Sequence, residues 1–114
     1  MSSRAELLAH LWRSCIDVWL SPNVVSNVIA RAKRRPTDPF ADAGAAMERI
    51  LAAGVNPRDL RVVMRFAAYD AVFGTLYSLR DPGVGEGEHV FMLHESLLGA
   101  DPSGREGRPD TDDA

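Results

Sequence analysis

Three prolines, each preceded by a helix-capping residue, constrain the fold of this chain more than any other feature. The pairs are Ser21-Pro22, Asp38-Pro39 and Asn56-Pro57. Ser, Asp and Asn side chains accept hydrogen bonds from the first turn of a helix. Proline is favoured at the first helical position because its missing N–H would have no partner there. Each pair therefore predicts the start of an α-helix.

These starts, together with a capping box at Ser3 and Glu6, predict four helices at roughly 3–20, 22–35, 39–53 and 57–80. A fifth helix at about 86–98 is expected after the loop "RDPGVGEG", because that loop is rich in turn residues. No segment alternates apolar and polar residues in the manner of a strand. The predicted class is all-α.

The apolar residues of the first three helices recur at helical spacing, which is typical of surface helices that share a core. In the first helix they are Leu8, Leu11, Trp12, Cys15, Val18 and Trp19. The stretch Arg65–Leu79 is apolar on nearly all sides and holds one carboxylate, Asp70, so it is expected to be buried. We predict a compact single-domain bundle of about five helices over 1–100, with the fourth helix (about 57–80) central. Residues 101–114 are predicted to form a turn and a flexible acidic tail.

Composition and charge exclude several classes of protein. Its net charge is −3, and the segment from Arg80 onward carries nine acids against three basic residues. The single cysteine, Cys15, cannot form an internal disulfide, which fits a reducing cytosol. No apolar run is long enough for a membrane span or a signal peptide. His89 and His94 are five positions apart, about 140° around a helix, so we predict no metal site. The glycines of "PGVGEGEH" do not match a phosphate-binding loop, and we predict no cofactor.

The acidic C-terminal third is the first candidate for a working surface, because acidic proteins attract basic partners. The candidate partner-binding residues are Glu86, Glu88, Glu95, Asp101, Arg105 and Glu106. No arrangement of nucleophile, base and oxyanion donors is recognisable, so we predict that the chain is not an enzyme. The favoured function is a small bacterial cytoplasmic protein that binds another, basic protein, in the manner of an inhibitor, an immunity protein or an antitoxin.

Two alternatives remain open. The first is a small DNA-binding regulator that uses a basic patch formed by Arg31, Lys33, Arg34, Arg35, Arg58, Arg61 and Arg65; the net negative charge makes nucleic acid the less favoured partner. The second is a ligand binder or enzyme built on Asp70 and His94. Asp70 lies in an apolar stretch, so it must meet a cation or hydrogen-bond donors from elsewhere, or reach solvent in a groove over Gly74. Among the basic residues, His94 is the one centred on an apolar face. We therefore predict that they pair, and favour a structural role for the pair.

Overall fold

The computed structural model describes residues 3–79 and 92–108, which form helices, turns and irregular segments with no strand among them. The α-helices in these ranges are α1 Ser3–Leu11, α2 Val24–Arg34, α3 Ala41–Ala52 and α4 Pro57–Leu79. A π-helical turn at Trp12–Ile16 and a 3-10 helix at Asp17–Leu20 follow α1, and short 3-10 helices lie at Leu93–Ser96 and Leu98–Ala100. The all-α class is confirmed.

The fifth helix expected at 86–98 is not an α-helix in its described part. Residues 86–91 lie outside the described ranges. Leu93–Ser96 and Leu98–Ala100 form two 3-10 helices, and Met92, just before them, has a positive φ of 57°. A non-glycine residue in this left-handed region interrupts a right-handed helix.

The three Pro-based helix starts differ in outcome. Asn56 caps α4 as expected, since its Oδ1 accepts a hydrogen bond from the N–H of Arg58 at 2.8 Å and Pro57 begins the helix. The other two helices start two residues after their prolines, at Val24 and Ala41. In those places the proline lies in the turn that precedes the helix.

The chain divides into two compact units. The terminal unit comprises Met1–Ile16 and Ala68–Ala114, and the central unit comprises Asp17–Ala67. Helix α4 contributes its first part to the central unit and its second part to the terminal unit.

The core of the terminal unit forms around the π-helical turn. Trp12 and Ile16 are fully buried there with Leu93 and Leu97, and Leu8 and Leu76 complete the buried set. The indole Nε1 of Trp12 donates a hydrogen bond to the carbonyl of Leu97 at 2.8 Å. This bond and the surrounding burial tie the segment 93–97 to the N-terminal helical segment.

In the central unit, α2 and α3 pack closely against each other. Val25, Met47 and Leu60 are the buried residues of its core. Gly44 of α3 lies against α2 so closely that an added Cβ would overlap the Cβ of Ala32 and approach the carbonyl oxygen of Val28 to 3.3 Å. A glycine is therefore required at this crossing.

Helix α4 is not the buried centre of a bundle, contrary to the prediction. Among its residues only Leu60 and Leu76 are buried, while Ala71, Gly74 and Tyr77 of its second half are exposed. An apolar helix presents more apolar surface than the small core of each unit accepts, so part of that surface faces solvent.

Candidate functional site

The predicted buried pair of Asp70 and His94 is not formed. Asp70 is exposed on α4, and no hydrogen bond or ion pair joins these two described residues. Because its carboxylate is solvated, Asp70 needs no cation in the core. The second alternative, a site built on this pair, loses its buried carboxylate.

His94 instead packs against aromatic rings of α4. Its ring centroid lies 5.5 Å from that of Phe73 and 5.1 Å from that of Tyr77, both in edge-to-face geometry. Its Nδ1 is buried and has no hydrogen-bond partner within the described residues. The row continues through Phe73 and Tyr69 to Trp12, so His94 belongs to the aromatic packing of the terminal unit.

The pKa of Tyr69 and the stability of an Asp70 variant together test whether Asp70 is exposed. Burial raises the pKa of the Tyr69 phenol above its usual 10.0, and the Asp70 charge adds a smaller increase. Asp70→Asn should therefore lower the pKa of Tyr69 without returning it to 10.0, and should change the free energy of unfolding by less than about 0.5 kcal/mol. Spectrophotometric titration in a Tyr77→Phe background isolates Tyr69, since the chain has 2 tyrosines.

The raised pKa of Tyr69 also makes the free energy of unfolding depend on pH. The folded state holds the Tyr69 proton to higher pH than the unfolded state does. The contribution of Tyr69 to stability is therefore present below pH 10 and is lost as pH rises through the folded-state pKa.

An unfolding free energy that falls by several kcal/mol in Asp70→Asn would show that Asp70 is buried and would contradict the structure.

The acidic candidate residues do not form one described surface. Glu86 and Glu88 lie outside the described ranges. Glu95 and Glu106 are exposed, as is Arg105.

Asp101 is buried, and therefore it does not belong to a docking surface. Its Oδ1 accepts hydrogen bonds from the backbone N–H and the hydroxyl of Ser103, both at 2.9 Å, and its Oδ2 accepts one from the N–H of Gly107 at 2.8 Å. Its carbonyl accepts the bond from the N–H of Gly104 that closes the predicted turn. Asp101 organises the loop 101–108, so this part of the predicted tail is folded.

The residues of the basic patch predicted for the DNA-binding alternative also do not all lie on one exposed surface. Arg65 donates from Nε and Nη2 to Asp17 Oδ1 at 3.1 and 3.0 Å, in a pair that is mostly buried. Arg61 donates from Nη1 to the carbonyl of Leu20 at 2.9 Å. Both arginines hold the 3-10 helix Asp17–Leu20 against α4, which removes them from the predicted basic patch. Arg58 is exposed.

The other basic residues of the patch lie at the end of α2 and in the residue that follows it. Arg31, Lys33, Arg34 and Arg35 are all exposed. Lys33 pairs with Glu48 of α3 at 2.6 Å, and Arg35 Nη1 lies 3.9 Å from Asp38 Oδ2.

Two apolar features of the central unit were missed in the sequence. On α4, Val62, Val63 and Phe66 are 54, 61 and 66% exposed and adjacent on one side of the helix; we call these three residues the α4 apolar face. In the α2–α3 connection, Phe40 is 86% exposed. One signal was present: Val62, Val63 and Met64 are consecutive, and three successive helical residues span about 200°, so they cannot all face one core.

In residues 3–79 and 92–108, no group of three or more His, Cys, Asp or Glu side chains is arranged to hold a metal ion. None of the helices within these ranges has the length and apolar character that crossing a bilayer requires. Comparison with protein-family models, with curated proteins and with solved structures finds no match.

Proposed function

We propose that this chain acts by binding another protein, and that the α4 apolar face is the centre of the contact. The observation that carries the proposal is the exposure of Val62, Val63 and Phe66 side by side on a regular helix. Clustered exposed apolar side chains mark interaction sites more often than scattered ones do.

Covering the α4 apolar face with a partner protein is favourable in free energy. Removing apolar surface from water contributes about 25 cal/mol per Å², and buried aromatic side chains are among the residues that dominate binding energy at interfaces. A stable interface buries about 800 Å² on each partner, which is more than three side chains supply. The α4 apolar face is therefore the apolar centre of a larger contact with a polar rim.

The finer form of the proposal is a non-enzymatic inhibitor of the bacterial cytoplasm, similar in role to an immunity protein or an antitoxin. A basic partner is favoured by the terminal unit, whose eleven acids and five basic residues give it a net charge of −6. The exposed carboxylates of Glu95 and Glu106 add to the long-range attraction, which speeds association more than it strengthens binding.

Phe66→Ser tests the proposal. Serine and phenylalanine have similar helix propensity, and the side chain is mostly exposed, so the free energy of unfolding should change by less than about 1 kcal/mol. The tagged variant and the tagged parent are purified from the source cells, and their bound proteins are quantified by mass spectrometry. A partner present in stoichiometric amount with the parent should be depleted at least about tenfold with Phe66→Ser.

Phe40→Ser is the matched control, because it also replaces an exposed phenylalanine of the central unit. It should retain the partner. If no stoichiometric partner is recovered with the parent, or if both variants retain it equally, the α4 apolar face is not the binding surface.

A further inference from the structure

Phe40 is unusual in both its backbone and its side chain. Its backbone is left-handed, with φ 65° and ψ 16°, a conformation that is unfavourable for a residue with a Cβ atom. Its ring is 86% exposed and so gains little from burial within the chain. Its carbonyl accepts a hydrogen bond from the N–H of Ala43 at the start of α3. The strained backbone nevertheless presents an exposed ring, which is a reason to look for a role outside the protein.

The connection that carries Phe40 is held at both ends. The N–H of Asp38 donates to the carbonyl of Arg35, and the N–H of Ala41 donates to the carbonyl of Asp38, each at 3.1 Å. The two helices that it joins are packed at Gly44 against Ala32. The ring of Phe40 is thus presented at a corner whose supporting helices cannot shift freely, which lowers the entropic cost of binding.

The same corner is basic. Arg31, Lys33, Arg34 and Arg35 occupy the last turn of α2 and the residue after it, immediately before the connection. Arg31 and Arg34 make no ion pair with any described residue, and the Arg35–Asp38 separation of 3.9 Å is long for a strong pair. The central unit as a whole has eight basic residues and five acids, a net charge of +3, although the full chain is at −3.

We propose that the α2–α3 corner binds single-stranded nucleic acid, with phosphates on Arg31, Arg34 and Arg35 and a base stacked on Phe40. Single strands are bound by this combination of a basic track and an aromatic platform, since every base has a stacking face. A duplex keeps its bases stacked inside the helix, so it would use the arginines and leave the ring without a partner. An acidic protein would likewise use the charges alone.

Binding is measured by fluorescence anisotropy with a short labelled oligothymidylate at low salt. Phe40→Ala should weaken binding about 5- to 100-fold, which corresponds to the loss of one stacked base. The triple variant Arg31→Gln/Arg34→Gln/Arg35→Gln should weaken binding and lower the slope of log affinity against log salt by about 2, because each phosphate contact contributes about 0.7 on a single strand. Arg13→Gln removes an exposed arginine of the terminal unit and should leave both quantities unchanged.

Competition separates the kinds of partner. Unlabelled oligothymidylate should displace the probe, while a matched duplex and a polyglutamate peptide should compete much more weakly. Phe40→Trp, which keeps a stacking ring, should bind at least as tightly as the parent and show that the loss in Phe40→Ala is not misfolding. The proposal is overturned if the parent does not bind, if duplex or polyglutamate competes equally, or if Phe40→Ala binds like the parent.

Discussion

Replacing Trp12 with alanine should lower the free energy of unfolding by about 3–5 kcal/mol, the largest effect expected for an aromatic residue here. Trp12 is fully buried with Ile16, Leu93 and Leu97. The substitution removes the ring from this core and leaves a cavity. It also leaves the buried carbonyl of Leu97 without the indole N–H that it accepts at 2.8 Å, which adds to the cost. Urea unfolding followed by far-ultraviolet circular dichroism measures the loss.

Trp12→Phe separates the two contributions. It keeps most of the buried ring and removes the hydrogen bond, so it should cost clearly less than Trp12→Ala, at about 1–3 kcal/mol. Trp19 remains in both variants as a fluorescence signal from the central unit. A loss under about 1 kcal/mol in Trp12→Ala would contradict the core of the terminal unit described above.

Gly44→Ala should destabilise the protein by about 2–3 kcal/mol, because it forces a methyl group into the α2–α3 crossing. The new Cβ would overlap the Cβ of Ala32, and neither a backbone nor a β-carbon can move aside as the end of a flexible side chain can. Thermal and urea unfolding measure the change.

Two variants make the Gly44 result specific. Gly74→Ala adds the same methyl group to α4, where no described atom outside the local helix backbone lies within 4 Å of the new Cβ. It should therefore stabilise the protein by about 0.5–1 kcal/mol through helix propensity. Ala32→Gly in the Gly44→Ala background vacates the overlapping position and should recover part of the loss. If Gly44→Ala is as stable as Gly74→Ala, the close approach of α2 and α3 is wrong.

Local signals in the sequence predicted which segments form the four α-helices, although α2 and α3 begin two residues after the prolines that were expected to start them. Asn56-Pro57 marks the first residue of α4, and residues 3–20 are helical almost throughout. The details that failed depend on tertiary packing. The π-helical turn at Trp12–Ile16 has more residues per turn than the α-helix assumed, so Ile16 is buried and Cys15 is exposed. Periodicity at 3.6 residues per turn cannot indicate such a change of register.

The positions of the candidate site residues are set mainly by contacts between residues that are far apart in the sequence. Asp70 was expected in the core because its neighbours are apolar, yet composition does not specify which side of a helix meets another element. Arg65 was predicted to belong to the basic patch, but it pairs with Asp17, which lies 48 positions away in the sequence. The exposure of Phe66 and Phe40 likewise reflects that no element of the described residues covers them.

A photo-crosslinking experiment tests the protein-binding role most directly. A benzophenone amino acid replaces Phe66 in one sample and the exposed Ala45 of α3 in another, and both are irradiated in the source cells. If the α4 apolar face is the contact, position 66 forms a discrete adduct with one protein, and position 45 does not form it. Equal adducts at both positions, or no adduct at position 66, would contradict the proposed binding function.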